Sequence, residues 1–353
     1  MPSRGAGLSE ETTMNRTLAA LLLASSALLA TVSVAGPALA DKPIIIKFSH
    51  VVAPDTPKGI AAAQFKKFAE ERTGGKVVVE LYPNSQLYKD KEELEALQLG
   101  AVQMLAPTAS KFGPIGLKEY QAFDLPYLFP DRATVHKVTN GPIGAALLRK
   151  LESKGMVGMA FWDNGFRAIS ANTPLRLPTD ARGLKIRINS SKVNAETIKA
   201  LGGLPQTLVL SEVYQALDTG VVDGTDGPLS NLYTQKQHEV QKHVALTDHS
   251  FSAYVVVVNK PFWDGLPADI RSTLDGALKD ATRINDQLAE EDERKTIDAI
   301  RNSGKSAVHT PTPDEKQAWI KALTPVQTKM AQQLGLTELV AAVNRDLTAE
   351  RSQ

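Results

Sequence analysis

The chain has 353 residues, enough for two domains at roughly 100–200 residues each. Hydrophobic residues make up 42% and charged residues 22%, an ordinary globular balance, and the net charge of +1 argues against nucleic acid or an anionic membrane surface as partner. With no cysteine, disulfides, thiolate metal sites and cysteine nucleophiles are excluded.

Arg16 precedes a Leu- and Ala-rich run over 18–34, followed by Pro37 and Ala38-Leu39-Ala40. Charged, apolar and small-x-small segments in that order predict a secretory signal peptide over 1–40, cut at Ala40/Asp41. Met14 begins a signal of more typical length, so residues 1–13 reflect an upstream start. Ser25-Ser26, Thr31 and Ser33 interrupt the run, whereas a membrane span needs about 20 strongly apolar residues. The expected product is a free periplasmic protein.

The next segments alternate between strand and helix patterns. Apolar run 44–49 predicts a buried first strand, ending at His50 in a loop with Pro54, Pro57 and Lys58. A helix over 60–72, a strand over 77–82, a helix over 91–99 and a strand over 102–106 follow. Such alternation predicts a parallel sheet with helices on both faces, an α/β fold. Aromatic-rich 123–129 reads as a packing wedge, 132–152 as helix broken near Gly141-Pro142, and 156–161 as strand. Residues 165–170 read as a crossing into a second domain.

The stretch 183–228 is the most informative. Leu184, Ile186 and Ile188 alternate with Lys185, Arg187 and Asn189, the period of a strand with one apolar face. Ser190-Ser191 supply a helix cap, and Gly202-Gly203 end that helix. Arg187 therefore lies at the carboxyl end of a strand, before a helix N-terminus, where open α/β sheets bind small ligands and anions are favoured. Its planar fork matches a carboxylate. A solvated surface arginine is the competing reading on spacing alone. Residues 207–210 read as a short strand, 212–218 as a helix, and Asp223-Gly224 as a turn, with turn-forming roles for Asp223 and Asp226. The continuous apolar run 254–259 predicts a central strand crossing back. Residues 266–302 predict one helix of about 55 Å, with Ile270, Leu274, Leu278, Ala281, Ile284 and Leu288 at helical spacing and a charged run at 290–295. Two apolar stretches around a polar middle suit a bridge between two bodies. Helices near 313–334 and 337–347 close the chain.

Positive signs of catalysis are absent. His50, His136, His238, His243, His249 and His309 form no HExxH or other metal-ligand spacing, and no GxSxG, Walker or dinucleotide loop occurs. Neither a metal nor a cofactor is expected.

Gly183-Leu184-Lys185-Ile186-Arg187, Leu201-Gly202-Gly203, the block 211–217 and the block 219–224 occur in this order. With Lys47-Phe48-Ser49-His50-Val51-Val52, Thr56-Pro57-Lys58-Gly59, the block 161–167 and Tyr233-Thr234-Gln235-Lys236, the series resembles the solute-binding proteins of tripartite ATP-independent periplasmic (TRAP) transporters, in their C4-dicarboxylate-binding branch. The resemblance covers nearly all of the mature chain. It implies a two-domain periplasmic binding protein fold with hinge strands and a long domain-bridging helix. It also implies a dicarboxylate ligand, and a membrane permease as partner. It places the essential carboxylate contact on Arg187 and a second basic position on Arg167, where close relatives often carry lysine.

Lys58 and His50 read either as holders of the far carboxylate or as exposed loop residues, Gln86 as a polar contact or loop surface, and Trp162 as cleft lining or core. Two departures from the family pattern bear on ligand size. Asp226-Gly227 replaces a common Glu-Asn pair, and Leu210 replaces a common Phe; Asp226 and Leu210 are therefore expected ligand contacts, in a pocket that admits a C4 or somewhat longer dicarboxylate. The expected partition is 41–164 plus 253–292 for the first domain and 165–252 plus 293–353 for the second, closing on ligand as a hinge. A periplasmic sensor of organic acids shares these features; a periplasmic enzyme acting on organic acids is the alternative of another class.

Overall fold

Ile44–Ser49 forms the first strand, β1, and takes parallel partners on both sides. In this computed structural model, residues 42–351 are described, with side chains to 345. The expected signal peptide lies outside the described residues. β1 pairs with β2 (Val77–Tyr82) and with β3 (Met104–Leu105), which is shorter than the expected 102–106. Strands continue as β4 (Met156–Ala171), β5 (Lys185–Ile188), β6 (Leu204–Thr207), β7 (Gly224–Pro228), β8 (His243–Ala245), β9 (Phe251–Asn259) and β10 (Ala307–His309). The lateral order is β2-β1-β3-β9-β4-β7-β5-β6, with β8 joining β4 and β10 joining β8.

All nine residues of β9 are buried, which accounts for its continuous apolar run. β9 runs antiparallel to both β3 and β4, so the sheet is mixed at its centre and parallel at its ends. β4 is a single strand of 16 residues where the sequence suggested two separate segments. Its first part pairs with β9, and its last five residues pair with β7. Register shifts between Gly158 and Ala160 and between Asp163 and Gly165 bend it on the way. The polar Asp163-Asn164 does not break the strand because Asn285 serves its backbone. Asn285 Oδ1 accepts from the Asp163 N–H at 2.6 Å, and Asn285 Nδ2 donates to the Asp163 carbonyl at 3.3 Å.

Asn285 comes from the helix Ala268–Asn302, whose 35 residues span about 52 Å. Ile270, Leu274, Leu278 and Ala281 are buried, as their spacing predicts. This first half packs on the helix Pro57–Arg72, and the far end reaches the helix Leu229–Thr234 and β10. Its polar middle meets β4 at the bend: Glu293 pairs with Arg132, which also pairs with Asp163. The helix therefore touches both parts of the sheet. Phe123, Leu125, Leu128 and Phe129 are buried in the larger core, with the Phe123 and Phe161 rings 5.4 Å apart.

Two local expectations in the β5–β7 part of the sheet are corrected. β6 covers 204–207 rather than 207–210. The strand pairing ends at Thr207 because the Leu208 carbonyl turns to a side chain, described below. Residues 224–228 form β7 rather than a turn. A Cβ on Gly224 would stand 2.2 Å from the Ser170 carbonyl oxygen, so only glycine lets β7 approach β4 this closely. No helix of the described residues is long and apolar enough to cross a membrane.

Candidate functional site

β5 carries Arg187 between the buried Ile186 and Ile188, and the arginine is itself only 7% exposed. It is covered because its face of the strand looks into a cavity rather than into solvent. Nε and Nη2 both donate to the Leu208 carbonyl, at 3.1 and 2.9 Å. Among the described residues no carboxylate forms an ion pair with it. Burial lowers its pKa to about 10, nearby Arg167 adds to this, and Asp90 and Asp226 oppose it.

Arg167, on β4, also lines the cavity, but its charge is already matched. Its Nε reaches Asp226 Oδ1 at 2.9 Å and its Nη2 reaches Oδ2 at 3.0 Å, a two-pronged pair with both residues buried. The Asp226 backbone carbonyl takes Nη2 as well, at 3.1 Å. Burial alone would raise the Asp226 carboxyl, but the Arg167 guanidinium holds it well below the usual carboxylate range. Asp226 is thus a buried counter-ion on a strand, not a turn residue, and the wall beside it is made by Thr225 and Gly227.

The cavity holds about 550 Å³ of empty space, its open mouth included. Leu210 lines it, as expected, and so does Gly227, at which an added Cβ would meet nothing within 4 Å. The missing side chain at 227 therefore does leave room. Sequence reasoning did not single out Asp90, Lys111, Thr108, Asn231, Ser252 and Tyr254, all on the wall. Lys111 is buried between Asp90 and Glu93 and pairs with both. Burial alone would lower its pKa, but these two carboxylates raise it. Asp90 answers in kind: burial opposes its ionised form, yet Lys111 and the Leu210 N–H bring it down to about 2.

The remaining expected site residues lie outside this wall. Lys58 is 1% exposed rather than a surface residue, with Nζ donating to the Ala106 carbonyl at 2.9 Å and 3.6 Å from the centre of the Tyr254 ring. Burial, with Lys111 nearby, lowers its pKa to about 7, against Glu93 and Asp90. His50 is buried too, and burial and then Lys58 lower its pKa to about 3. Gln86 is exposed on its loop. Trp162 is core: its ring packs 6.1 Å from Phe48, and its indole N–H donates to Thr282 Oγ1 of the long helix at 2.8 Å.

Residues 48–334 match the profile of the bacterial extracellular solute-binding proteins, family 7, also called DctP. The chain belongs to this family. It is 55% identical over 337 residues to the C4-dicarboxylate-binding periplasmic protein DctP of Rhodobacter capsulatus, covering 96% of this chain and all of that one. The crystal structure of a TRAP periplasmic solute-binding protein from Sulfurospirillum deleyianum, with bound succinate, superposes with a TM-score of 0.82 at 41% identity, covering 85% of this chain and 98% of that one. One from Pseudomonas aeruginosa PAO1, with bound L-malate, gives 0.79 at 39% identity, covering 81% and 100%. The DctP family fold is therefore present here, as the sequence motifs implied. Among the described residues no cluster of His, Asp and Glu is arranged to hold a metal ion.

Proposed function

We propose that this chain is the extracytoplasmic receptor of a TRAP transporter, binding a dicarboxylate of C4 or somewhat greater length and delivering it to a membrane permease. The observation that carries the reading is Arg187: a guanidinium on the cavity wall whose only hydrogen-bond partner among the described residues is one carbonyl. A buried cation without a counter-ion is costly, and an organic carboxylate is the group that offsets it. The succinate- and malate-bound relatives support the C4 class. The space at Gly227 and the Leu210 side chain support some tolerance for length. On this reading lobes of roughly 41–164 plus 253–292 and 165–252 plus 293–353 close on the ligand, with β4, β9 and the long helix as the connection. Export through a cleaved signal over 1–40 places the receptor in the periplasm, as the names of its relatives suggest.

Calorimetric titration of the mature chain with succinate, malate and adipate tests both parts. Arg187→Ala is expected to abolish binding and the associated thermal stabilisation; stabilisation that persists in the variant refutes the assignment. A preference for adipate over both C4 acids would extend the ligand class, and a strict C4 preference would end the tolerance argument.

A further inference from the structure

Besides the bonds of Ser191 and Asn194 to the buried Asp124 and of the Lys192 N–H to Gln121, three contacts join the two sides of the cavity. Asp90, in the loop after β2, accepts the backbone N–H of Leu210, in the segment after β6, at Oδ2 and 2.7 Å. Beside it Lys89 meets Glu212 at 3.3 Å. Asn189, after β5, donates to Ser110 Oγ, after β3, at 3.1 Å. These contacts are unequal. Lys89 and Glu212 are 51% and 52% exposed, so water and salt screen their pair. Asn189 and Ser110 make a neutral bond. The Asp90 side chain is 15% exposed, and its other oxygen is anchored on the buried Lys111, itself held by Glu93. A carboxylate fixed in this way makes a charge-assisted bond to a backbone N–H rather than to a flexible side chain.

We propose that Asp90 is a positioning residue that keeps the cleft shut over its ligand, by stapling the loop after β2 to the Leu210 backbone on the opposite side. The proposal rests on the receptor reading above. A negative group on the wall of an anion-binding cavity otherwise works against binding, because it repels the ligand's carboxylates. The two effects have opposite signs. A mere wall charge, once removed, lets the anion bind more tightly. A staple, once removed, lets the cleft reopen and the ligand escape sooner.

The test is stopped-flow association and dissociation of succinate on the mature chain, for wild type, Asp90→Ala, Asp90→Asn and Lys89→Ala. Loss of one charge-assisted hydrogen bond predicts dissociation about ten-fold or more faster in Asp90→Ala. Asp90→Asn should lie between, since its amide oxygen still accepts from Leu210 but lacks the charge. Lys89→Ala should stay within about two-fold of wild type. Dissociation from Asp90→Ala at the wild-type rate or slower overturns the proposal. Should Asp90→Ala not fold, an unchanged or slower rate in Asp90→Asn overturns it equally. Failure of wild type itself to bind succinate, malate and adipate alike is a failure of the receptor reading, and is seen before any variant is compared; where adipate alone binds, the same rates are read with adipate.

Discussion

Arg167 and Arg187 are both buried on the same cavity, yet replacing each by methionine should have opposite consequences for the unliganded fold. Arg167 is matched by Asp226 through two short bonds, and removing one member of a buried pair leaves the other uncompensated. That costs about 3–5 kcal/mol. Arg187 has no such partner. Holding its charge where burial lowers the pKa to about 10 corresponds to a penalty on the order of 3 kcal/mol at ~1.4 kcal/mol per pH unit. Methionine removes that penalty but strips the Leu208 carbonyl of its donor, a loss of ~1–3 kcal/mol. The net change for Arg187→Met is therefore about 0 to +2 kcal/mol of stability. Urea unfolding of both variants at pH 7 without ligand, followed by circular dichroism, gives the comparison. Equal destabilisation by the two substitutions would show that Arg187 is matched inside the protein, and the ligand argument would fail.

Two further outcomes follow from the residues beside the cavity. His50 has its pKa lowered to about 3 by burial and by Lys58, so the unfolded chain takes up a proton near pH 6.5 that the folded chain refuses. Stability should fall as pH drops below about 6.5, by up to ~1.4 kcal/mol per pH unit, and unfolding measured between pH 6.5 and 4.5 should show a shallower fall in His50→Asn; parallel profiles would contradict this. Trp162→Phe removes the bond to Thr282 and some core volume, so it should cost about 1–3 kcal/mol in urea unfolding while leaving succinate affinity within about two-fold. A large affinity loss with little loss of stability would return Trp162 to the ligand site.

The parts of the fold that were legible in the sequence are those where one local rule acts alone. The apolar runs of β1, β2 and β9 are strands, β9 buried throughout, Ser191 caps its helix by accepting the Asn194 N–H at 3.2 Å, and the long helix begins and ends within two residues of its expected limits. β4 and β7 were misread because distant groups decide them. Asn285, from a helix more than a hundred residues later, satisfies the bend at Asp163, and Gly224 marks a close approach that spacing alone presents as a turn. Arg187, Arg167 and Leu210, singled out through the family motifs, do line the cavity. Asp90 and Lys111 were not singled out. Asp90 lies in the charged run Lys89-Asp90-Lys91, whose ordinary meaning is a solvated loop, and Lys111 acquires its burial from Glu93, eighteen residues away.

The charges on the wall also bear on how a second carboxylate would be recognised. Arg167 is matched by Asp226, and Lys111 is shared between Asp90 and Glu93, so among the described residues of the wall Arg187 alone offers an unmatched full charge. A dicarboxylate held there by one end presents its other end to neutral groups of the wall, such as Thr108, Asn231 and Ser252. Coulomb attraction falls slowly with distance and would accept a range of chain lengths, whereas a hydrogen bond is lost within a few tenths of an ångström beyond its usual 2.7–3.2 Å. On the proposed reading, discrimination by length would rest on where neutral donors stand, not on a second fixed cation. This is why the side chain absent at Gly227, rather than any change of charge, is the feature through which this wall would differ in the acid it selects.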